Sequence, residues 1–186
     1  MRNKETKIII AGFGGQGVVL TGNIIARAAV IEEKNITGMV SYGVEMRGGT
    51  ANASVIVSDN EIASPFVEHP NAAIILNQPS LDKFEPLLAN RCELVINTSM
   101  IHREIERGDL NVGCIDASNI ARESLGNLKV SNIVALGAFI RETELLKVES
   151  IEQALKDLFA KKKPALADIN IKALHAGIEA LTKACV

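Results

Sequence analysis

The sequence has few aromatic side chains and almost no excess of either charge. It contains no tryptophan, and aromatic residues make up 3% of its 186 positions, so it offers few rings on which nucleic-acid bases can stack. Its 20 basic and 22 acidic residues give a net charge of −2, whereas proteins that bind nucleic acids or membrane surfaces usually carry a basic excess. We therefore expect neither nucleic acid nor a membrane among its partners.

Cysteine is scarce, and long apolar runs are missing. Cys92, Cys114 and Cys185 lie far apart and form no CxxC pair, which argues against a disulfide framework and against a zinc or iron–sulfur site made by this chain alone. Buried, reduced thiols are expected. No apolar run approaches the roughly 20 residues of a membrane span, and the run at 8–11 is too short for a signal peptide. These features predict a soluble, cytoplasmic protein.

Short apolar strands alternate with helical segments. The periodicity predicts strands at 7–11, 37–42, 72–76, 93–96 and 112–115, and helices at 17–33, 81–88, 120–125, 133–144, 151–162 and 169–183. Ser150 and Gln153 form a predicted capping box, and Pro164 is expected to end that helix. Residues 50–63 predict a β-hairpin inserted after the second strand. We expect one α/β domain over 1–186, with an open, mainly parallel, Rossmann-like sheet flanked by helices.

A glycine cluster follows the first predicted strand. Gly12, Gly14 and Gly17 satisfy G-x-G-x-x-G directly before a helix, a turn that lets the backbone approach a phosphate at the helix N-terminus. A nicotinamide dinucleotide would also need an acidic residue at the end of the second strand, and residues 39–42 contain none. A phosphate-bearing ligand and a purely structural tight turn remain the two interpretations.

A second cluster, SYGVEMRGGT at 41–50, lies between a strand and the predicted hairpin. At this place the loop can rise above the carboxyl edge of the sheet, where ligands of open α/β sheets bind. Arg47 can clamp a phosphate or carboxylate through two hydrogen bonds. An ion pair with Glu45 that stiffens the loop, and contact with a partner subunit, are the alternatives.

No reaction centre is apparent in the sequence. The three histidines, His69, His102 and His175, are scattered, and no G-x-S-x-G nucleophile motif occurs. We therefore predict no catalytic residue and no metal ligand. Asn132 opens a very apolar helix, where it either caps the helix or reaches into the cleft. A ligand-binding turn without a reaction centre is consistent with one part of a larger enzyme, or with a free-standing nucleotide- or dinucleotide-binding module.

Several motifs together resemble the gamma subunit of 2-oxoacid:ferredoxin oxidoreductases, over essentially the whole chain. They are GFGGQGVV at 12–19, YGVEMRGG at 42–49, Ser58-Asp59, IASP at 62–65, Asn132 with LGA at 136–138, and Asn170, Ala173 and Gly177. The resemblance implies an open α/β fold. It also implies an enzyme complex that decarboxylates a 2-oxoacid oxidatively and yields acyl-CoA, CO2 and reduced ferredoxin.

The resemblance further implies where the parts of that enzyme lie. Thiamine diphosphate and iron–sulfur clusters belong to other subunits, and this chain is expected to be inactive alone. Its partners would be alpha and beta subunits, with delta as a third candidate, and ferredoxin through the complex. Among pyruvate, 2-oxoglutarate, branched-chain and indolepyruvate enzymes, residues 41–59 look most like the 2-oxoglutarate type. The residues expected at coenzyme A or at a subunit contact are Gly12, Gly14, Gly15, Gln16, Gly17, Arg47, Gly48 and Gly49.

Overall fold

A computed structural model describes residues 5–42, 50–159 and 164–183. Its sheet has six strands in the order β2-β3-β1-β4-β5-β6. The strands are β1 Thr6–Phe13, β2 Asn35–Tyr42, β3 Thr50–Ser58, β4 Ala72–Ile75, β5 Glu93–Asn97 and β6 Asn111–Ile115. Strands β1, β4, β5 and β6 run parallel, whereas β3 is antiparallel to both β1 and β2. The expected open α/β sheet with flanking helices is confirmed.

The helices of the described ranges cover both faces of this sheet. They are α1 Val18–Ile31, α2 Gln78–Phe84, α3 Ala117–Asn119, α4 Ser131–Thr143, α5 Val148–Phe159 and α6 Pro164–Ala180. A π-helical turn, Ile120–Ser124, continues α3, and 3-10 turns occur at Glu85–Leu87 and Leu128–Val130. Helices α1, α4, α5 and α6 contribute to the larger core cluster, and α2 contributes to the smaller one.

The central strands are buried on both faces. Consecutive side chains of a strand point to opposite faces, so Ile8 and Ile10 of β1 join the larger cluster while Ile9 and Ala11 join the smaller one. This is why β1 is an unbroken apolar run rather than an alternating pattern. None of the helices in the described ranges is both long and apolar enough to cross a membrane.

The segment after the second strand differs in detail from the prediction. Ile62 and Ala63 form no strand, so no separate hairpin spans 50–63. Instead β3 lies between β2 and β1, where Val55 and Ile56 are buried on opposite faces of the sheet. Two full-length neighbours satisfy far more backbone groups of β3 than a two-residue partner would, which explains this placement.

Two helix boundaries and the state of one cysteine also differ from the prediction. Pro164 begins α6 instead of only ending the preceding helix, because its fixed φ and missing N–H suit a first helical turn. Helix α5 already begins at Val148, which leaves Ser150 buried in its first turn instead of before it. Cys92 is free and buried, as expected, and burial raises the pKa of its thiol to about 12. Cys114 is disulfide-bonded, so the expectation of a reduced thiol is wrong there.

Candidate functional site

The predicted glycine cluster forms the turn between β1 and α1 at the carboxyl end of β1. Gly14 and Gly15 are exposed, and Gly15 and Gly17 have φ values of +93° and +77°. Only glycine adopts such angles without strain. Gly17 is the N-cap of α1, and no side chain caps that end. The turn therefore presents exposed backbone next to the N-terminus of a 14-residue helix.

Gln16 holds this turn in place from within. Its Oε1 accepts hydrogen bonds from the backbone N–H of Phe13, at 2.6 Å, and from Nδ2 of Asn77, at 2.9 Å. A Cβ at Gly12 would lie 2.7 Å from the same oxygen. The Oδ1 of Asn77 accepts from the N–H of Ser80 at 3.0 Å and so caps α2. Gln16 thus joins the turn after β1 to the start of α2, and its carbonyl oxygen is engaged there.

Asn132 reaches the same turn from α4. Its Nδ2 donates to the carbonyl of Gly17 at 3.2 Å and to Oγ1 of Thr21 at 3.0 Å. A Cβ at Gly17 would lie 2.5 Å from that Nδ2, so the amide fills the space behind this glycine. The side chain is 1% exposed, and its Oδ1 has no hydrogen-bond partner in the part of the chain that the structure describes. Asn132 therefore does not cap α4; it lies buried behind the glycine turn and joins α4 to the start of α1.

The neighbouring strand ends carry a polar network of their own. Asn97 ends β5, and its Nδ2 donates to the carbonyl of Leu76 at 3.3 Å and to Oγ of Ser118 at 2.9 Å. Ser99 is hydrogen-bonded to the carboxylate of Asp116, and its Oγ accepts from the N–H of Ser118 at 3.1 Å. These side chains largely satisfy one another and fix the loops that surround the glycine turn.

The structure brings together five of the eight predicted site residues. Gly12, Gly14, Gly15, Gln16 and Gly17 form one turn, whereas Arg47, Gly48 and Gly49 lie outside the described residues. The histidines lie apart, with Nε2 of His175 at 2.7 Å from the carboxylate of Glu152. Within the described ranges, no group of three or more His, Cys, Asp or Glu side chains could hold a metal ion.

Sequence reasoning missed Asn77 and Asn97, and one signal could have found them. Each asparagine directly follows the apolar run of a parallel strand, where its side chain falls at the carboxyl edge. Asn77 also precedes Pro79, and an asparagine shortly before a proline is typical of a helix start. The contact of Asn77 with the glycine turn, and that of Asn97 with Leu76 and Ser118, depend on the strand order, which no local pattern contains.

The main buried charge lies away from this site. Glu85 is 2% exposed, and its Oε2 pairs with Nη2 of Arg103 at 2.6 Å. Its Oε1 accepts from the N–H groups of Glu106 and Arg107 at 2.7 and 3.0 Å. Arg103 also donates to Asp82 at 2.7 Å, and this hydrogen bond lowers the pKa of the Asp82 carboxyl. The cluster fastens the loop after β5 to the end of α2.

Comparison with known proteins identifies relatives along nearly the whole chain. Residues 7–180 match the family described as pyruvate ferredoxin/flavodoxin oxidoreductase. The chain is 35% identical over 176 residues to the ketoisovalerate oxidoreductase subunit VorA of Methanothermobacter thermautotrophicus, which covers 94% of this chain but 36% of that protein. It is 32% identical over 175 residues to the 2-oxoglutarate synthase subunit KorC of Methanocaldococcus jannaschii, covering 93% of this chain and 92% of that one.

A solved structure agrees with these relatives. The gamma subunit of a keto/oxoacid ferredoxin oxidoreductase from Geobacter sulfurreducens superposes with a TM-score of 0.80 at 30% identity, covering 93% of this chain and 96% of that one. Fold and sequence thus agree on the same relationship. The chain belongs to the pyruvate ferredoxin/flavodoxin oxidoreductase family, and within that family to the gamma-subunit type found in 2-oxoacid:ferredoxin oxidoreductases.

Proposed function

We propose that this chain is the gamma subunit of a complex that oxidises 2-oxoglutarate. In that reaction 2-oxoglutarate and coenzyme A give succinyl-CoA, CO2 and one proton, and two electrons pass to ferredoxin. The supporting observation is that four relatives, 31–32% identical and matched over 88–95% of their own length, are 2-oxoglutarate synthase subunits. A pyruvate/ketoisovalerate common gamma subunit matches at 34% identity with similar coverage, so the assay below distinguishes these substrates.

The redox cofactors of such a complex belong, in this proposal, to its alpha and beta subunits, with delta as a third candidate. Of the cysteines in the described ranges, Cys92 is fully buried and Cys114 is disulfide-bonded, so neither suits an iron–sulfur cluster. The chain would then act by packing on the subunits that carry the clusters and thiamine diphosphate. Its inactivity in isolation and its cytoplasmic location stay predictions.

We further propose that the glycine turn contacts coenzyme A. The backbone of Gly14, Gly15 and Gly17 would meet the phosphate or pantetheine, next to the uncapped N-terminus of α1. Gly12 leaves room for Gln16, which shapes the turn. Arg47, Gly48 and Gly49 would add an anion or subunit contact.

The substrate and the partners are tested together on the native complex. A tagged copy of this chain is purified from its own cells, and the eluate is assayed with 2-oxoglutarate, ketoisovalerate, pyruvate and indolepyruvate, using a viologen dye as the electron acceptor. We expect cluster-bearing subunits to copurify and kcat/KM to be highest for 2-oxoglutarate. A preference for another acid would overturn the substrate assignment, and purification of the chain without partners would overturn the subunit role.

The coenzyme A contact is tested with Gln16→Ala and Arg47→Ala in that complex. The expected result is a KM for coenzyme A raised about 10-fold, with the KM for the 2-oxoacid unchanged, because only the coenzyme contact is weakened. Gly108→Ala is the matched control, since this glycine is exposed and a Cβ there would meet nothing within 4 Å. An unchanged KM for coenzyme A in both variants, with assembly intact, would refute the contact.

A further inference from the structure

The glycine turn lies where the chain changes direction along the sheet. From β1 the chain crosses by way of α1 to β2 on one side, whereas from β4 it passes by way of α2 to β5 on the other side. Helix α1 packs in the larger core cluster and α2 in the smaller one, so the two connections also leave the sheet on opposite faces. Open α/β sheets bind ligands in the crevice between two such strand ends. The start of α1 therefore borders the crevice of this fold.

Three hydrogen bonds converge on the carbonyl of Gly17 at the start of α1. The backbone N–H of Thr21 donates to it at 2.9 Å, Oγ1 of Thr21 at 3.1 Å, and Nδ2 of Asn132 at 3.2 Å. The same Nδ2 donates to Oγ1 of Thr21 at 3.0 Å, so the three groups form a closed triangle. Thr21 and Asn132 are each 1% exposed. A carbonyl oxygen offers two lone pairs, so this one is held more firmly than a helical carbonyl with a single donor.

The direction of that carbonyl decides where the first N–H group of α1 points. The peptide unit between Gly17 and Val18 is planar, and its C=O and N–H point in opposite directions. Because the carbonyl is held along the helix towards Thr21, the N–H of Val18 points out of the N-terminal end of α1. No side chain of the described residues caps this end, and the first N–H groups of a helix have no partner within it. Donors in this position bind phosphate and other anions.

The amide of Asn132 is oriented for the turn and not for its own hydrogen bonding. Turned the other way, its Oδ1 would face the carbonyl of Gly17, and two acceptors would repel each other. In the observed orientation, Oδ1 has no hydrogen-bond partner among the described residues. A buried acceptor without a partner destabilises a protein. An asparagine at this place therefore points to a requirement at the turn, because stability alone does not favour it.

We propose that Thr21 and Asn132 are positioning residues for the coenzyme A contact. By holding the Gly17 carbonyl along α1, they fix the N–H groups at the start of this helix in the direction of the crevice, where a phosphate of the coenzyme accepts from them. Donors that are already aligned bind a ligand without a further ordering penalty, so loosening them weakens binding. Neither side chain touches the coenzyme, because both are buried behind the turn. This inference rests on the proposed function, since it requires that the turn binds coenzyme A.

Variants of the two residues test this role in the purified complex, where KM is measured for coenzyme A and for 2-oxoglutarate. Thr21→Val keeps the shape of the side chain but removes the hydroxyl, and Asn132→Ala removes the amide. Each should raise the KM for coenzyme A about 5-fold, the effect of one lost hydrogen bond, and leave the KM for 2-oxoglutarate unchanged. Thr21→Ser retains the hydroxyl and should stay within about 2-fold of the wild-type KM for coenzyme A.

Thr143→Val is the matched control. Oγ1 of Thr143 also donates to the carbonyl four residues earlier, that of Phe139 at 2.8 Å. This threonine ends α4, whereas Asn132 lies in the first turn of the same helix, so the two are separated by nearly its whole length. Thr143→Val should leave the KM for coenzyme A unchanged, even where the melting temperature of the isolated chain falls as far as that of Thr21→Val.

The outcomes separate the positioning role from the coenzyme A contact itself. Equal KM values for Thr21→Val and Thr21→Ser, or an unchanged KM for coenzyme A in both Thr21→Val and Asn132→Ala, would overturn the positioning role. If Gln16→Ala still raises the KM for coenzyme A in that case, the proposed contact stands without these two residues. If Gln16→Ala leaves this KM unchanged as well, the contact is refuted together with the positioning role.

Discussion

At the scale of single residues, the glycine turn combines two separate reasons for glycine. Gly15 and Gly17 both have positive φ, but a Cβ at Gly15 would meet nothing within 4 Å, whereas one at Gly17 would meet the amide of Asn132 at 2.5 Å. Gly15 is therefore required by backbone angle alone, and Gly17 by angle and packing together.

This difference gives a paired prediction. Gly15→Ala should lower the free energy of unfolding by about 1–2 kcal/mol, which is the cost of a left-handed non-glycine residue. Gly17→Ala should lower it by at least about 1 kcal/mol more, because Asn132 must also move. Urea unfolding of the two variants and the wild-type protein measures both values. Equal losses would show that Asn132 does not restrict this position.

The buried Glu85 carboxylate supports a second prediction at this scale. Arg103→Met should lower the free energy of unfolding by about 3 kcal/mol, because removing one partner leaves a buried charge without its counter-ion. Arg122→Met is the control. Arg122 is exposed and makes one long hydrogen bond of 3.4 Å, so the change should stay within about 0.5 kcal/mol. Thermal and urea unfolding measure the loss of stability in each variant. Similar losses for Arg103→Met and Arg122→Met would contradict a stabilising role of the ion pair.

At the scale of elements, α4 and α6 cross with their backbones in contact. A Cβ at Gly137 would lie 2.0 Å from the carbonyl oxygen of Leu174, and one at Gly177 would lie 1.9 Å from that of Val134. The two glycines thus form a reciprocal pair, each one facing the backbone of the other helix. They belong to the motifs that carry the family resemblance, and the crossing gives a physical reason for their identity.

Alanine at either glycine should separate these helices. We expect Gly137→Ala and Gly177→Ala each to lower the free energy of unfolding by about 3 kcal/mol or more, because backbone atoms cannot move aside as a flexible side chain can. Gly108→Ala serves as the control, because its Cβ would enter open space. Chemical denaturation, with near-UV circular dichroism for packing, would test this. Wild-type stability in either helix variant would contradict so close a crossing.

The sequence predicts where helices and strands occur better than it predicts which of them lie side by side in the fold. Strands such as β1 and β4 are recognisable because burial on both faces makes them continuous apolar runs. The position of β3 between β2 and β1 cannot be recognised in this way, because strand pairing depends on contacts between residues that are far apart in the chain. The same limit applies to the site: the G-x-G-x-x-G turn is local and predictable, while Gln16 meets Asn77, 61 residues away, and Asn132 meets Gly17, 115 residues away.

At the scale of the whole molecule, acid should weaken the fold partly through Asp82. The hydrogen bond from Arg103 lowers the pKa of this carboxyl below the value of about 3.9 for an unfolded chain. The ion pair therefore stabilises the fold above that pH, and its contribution is lost as the pH falls towards the lowered pKa.

The corresponding measurement compares pH 6 with pH 3. Between these values, the wild-type protein should lose up to about 1 kcal/mol more stability than Asp82→Asn, a small difference because the pair is partly exposed. Urea unfolding at each pH gives both losses. If the free energy of unfolding fell equally in the two proteins, Asp82 would not contribute to the loss of stability in acid.

The position of β1 in the sheet has a consequence for synthesis on the ribosome. Ile8 pairs with Val55 on one side and with Ala72 on the other, so the strand made first among the six waits for both of its neighbours. Until β4 has left the exit tunnel, the backbone groups of β1 on that side have no partner strand. Force measurements on arrested nascent chains should therefore show no folding before Ile75 emerges, and folding at shorter lengths would contradict this order.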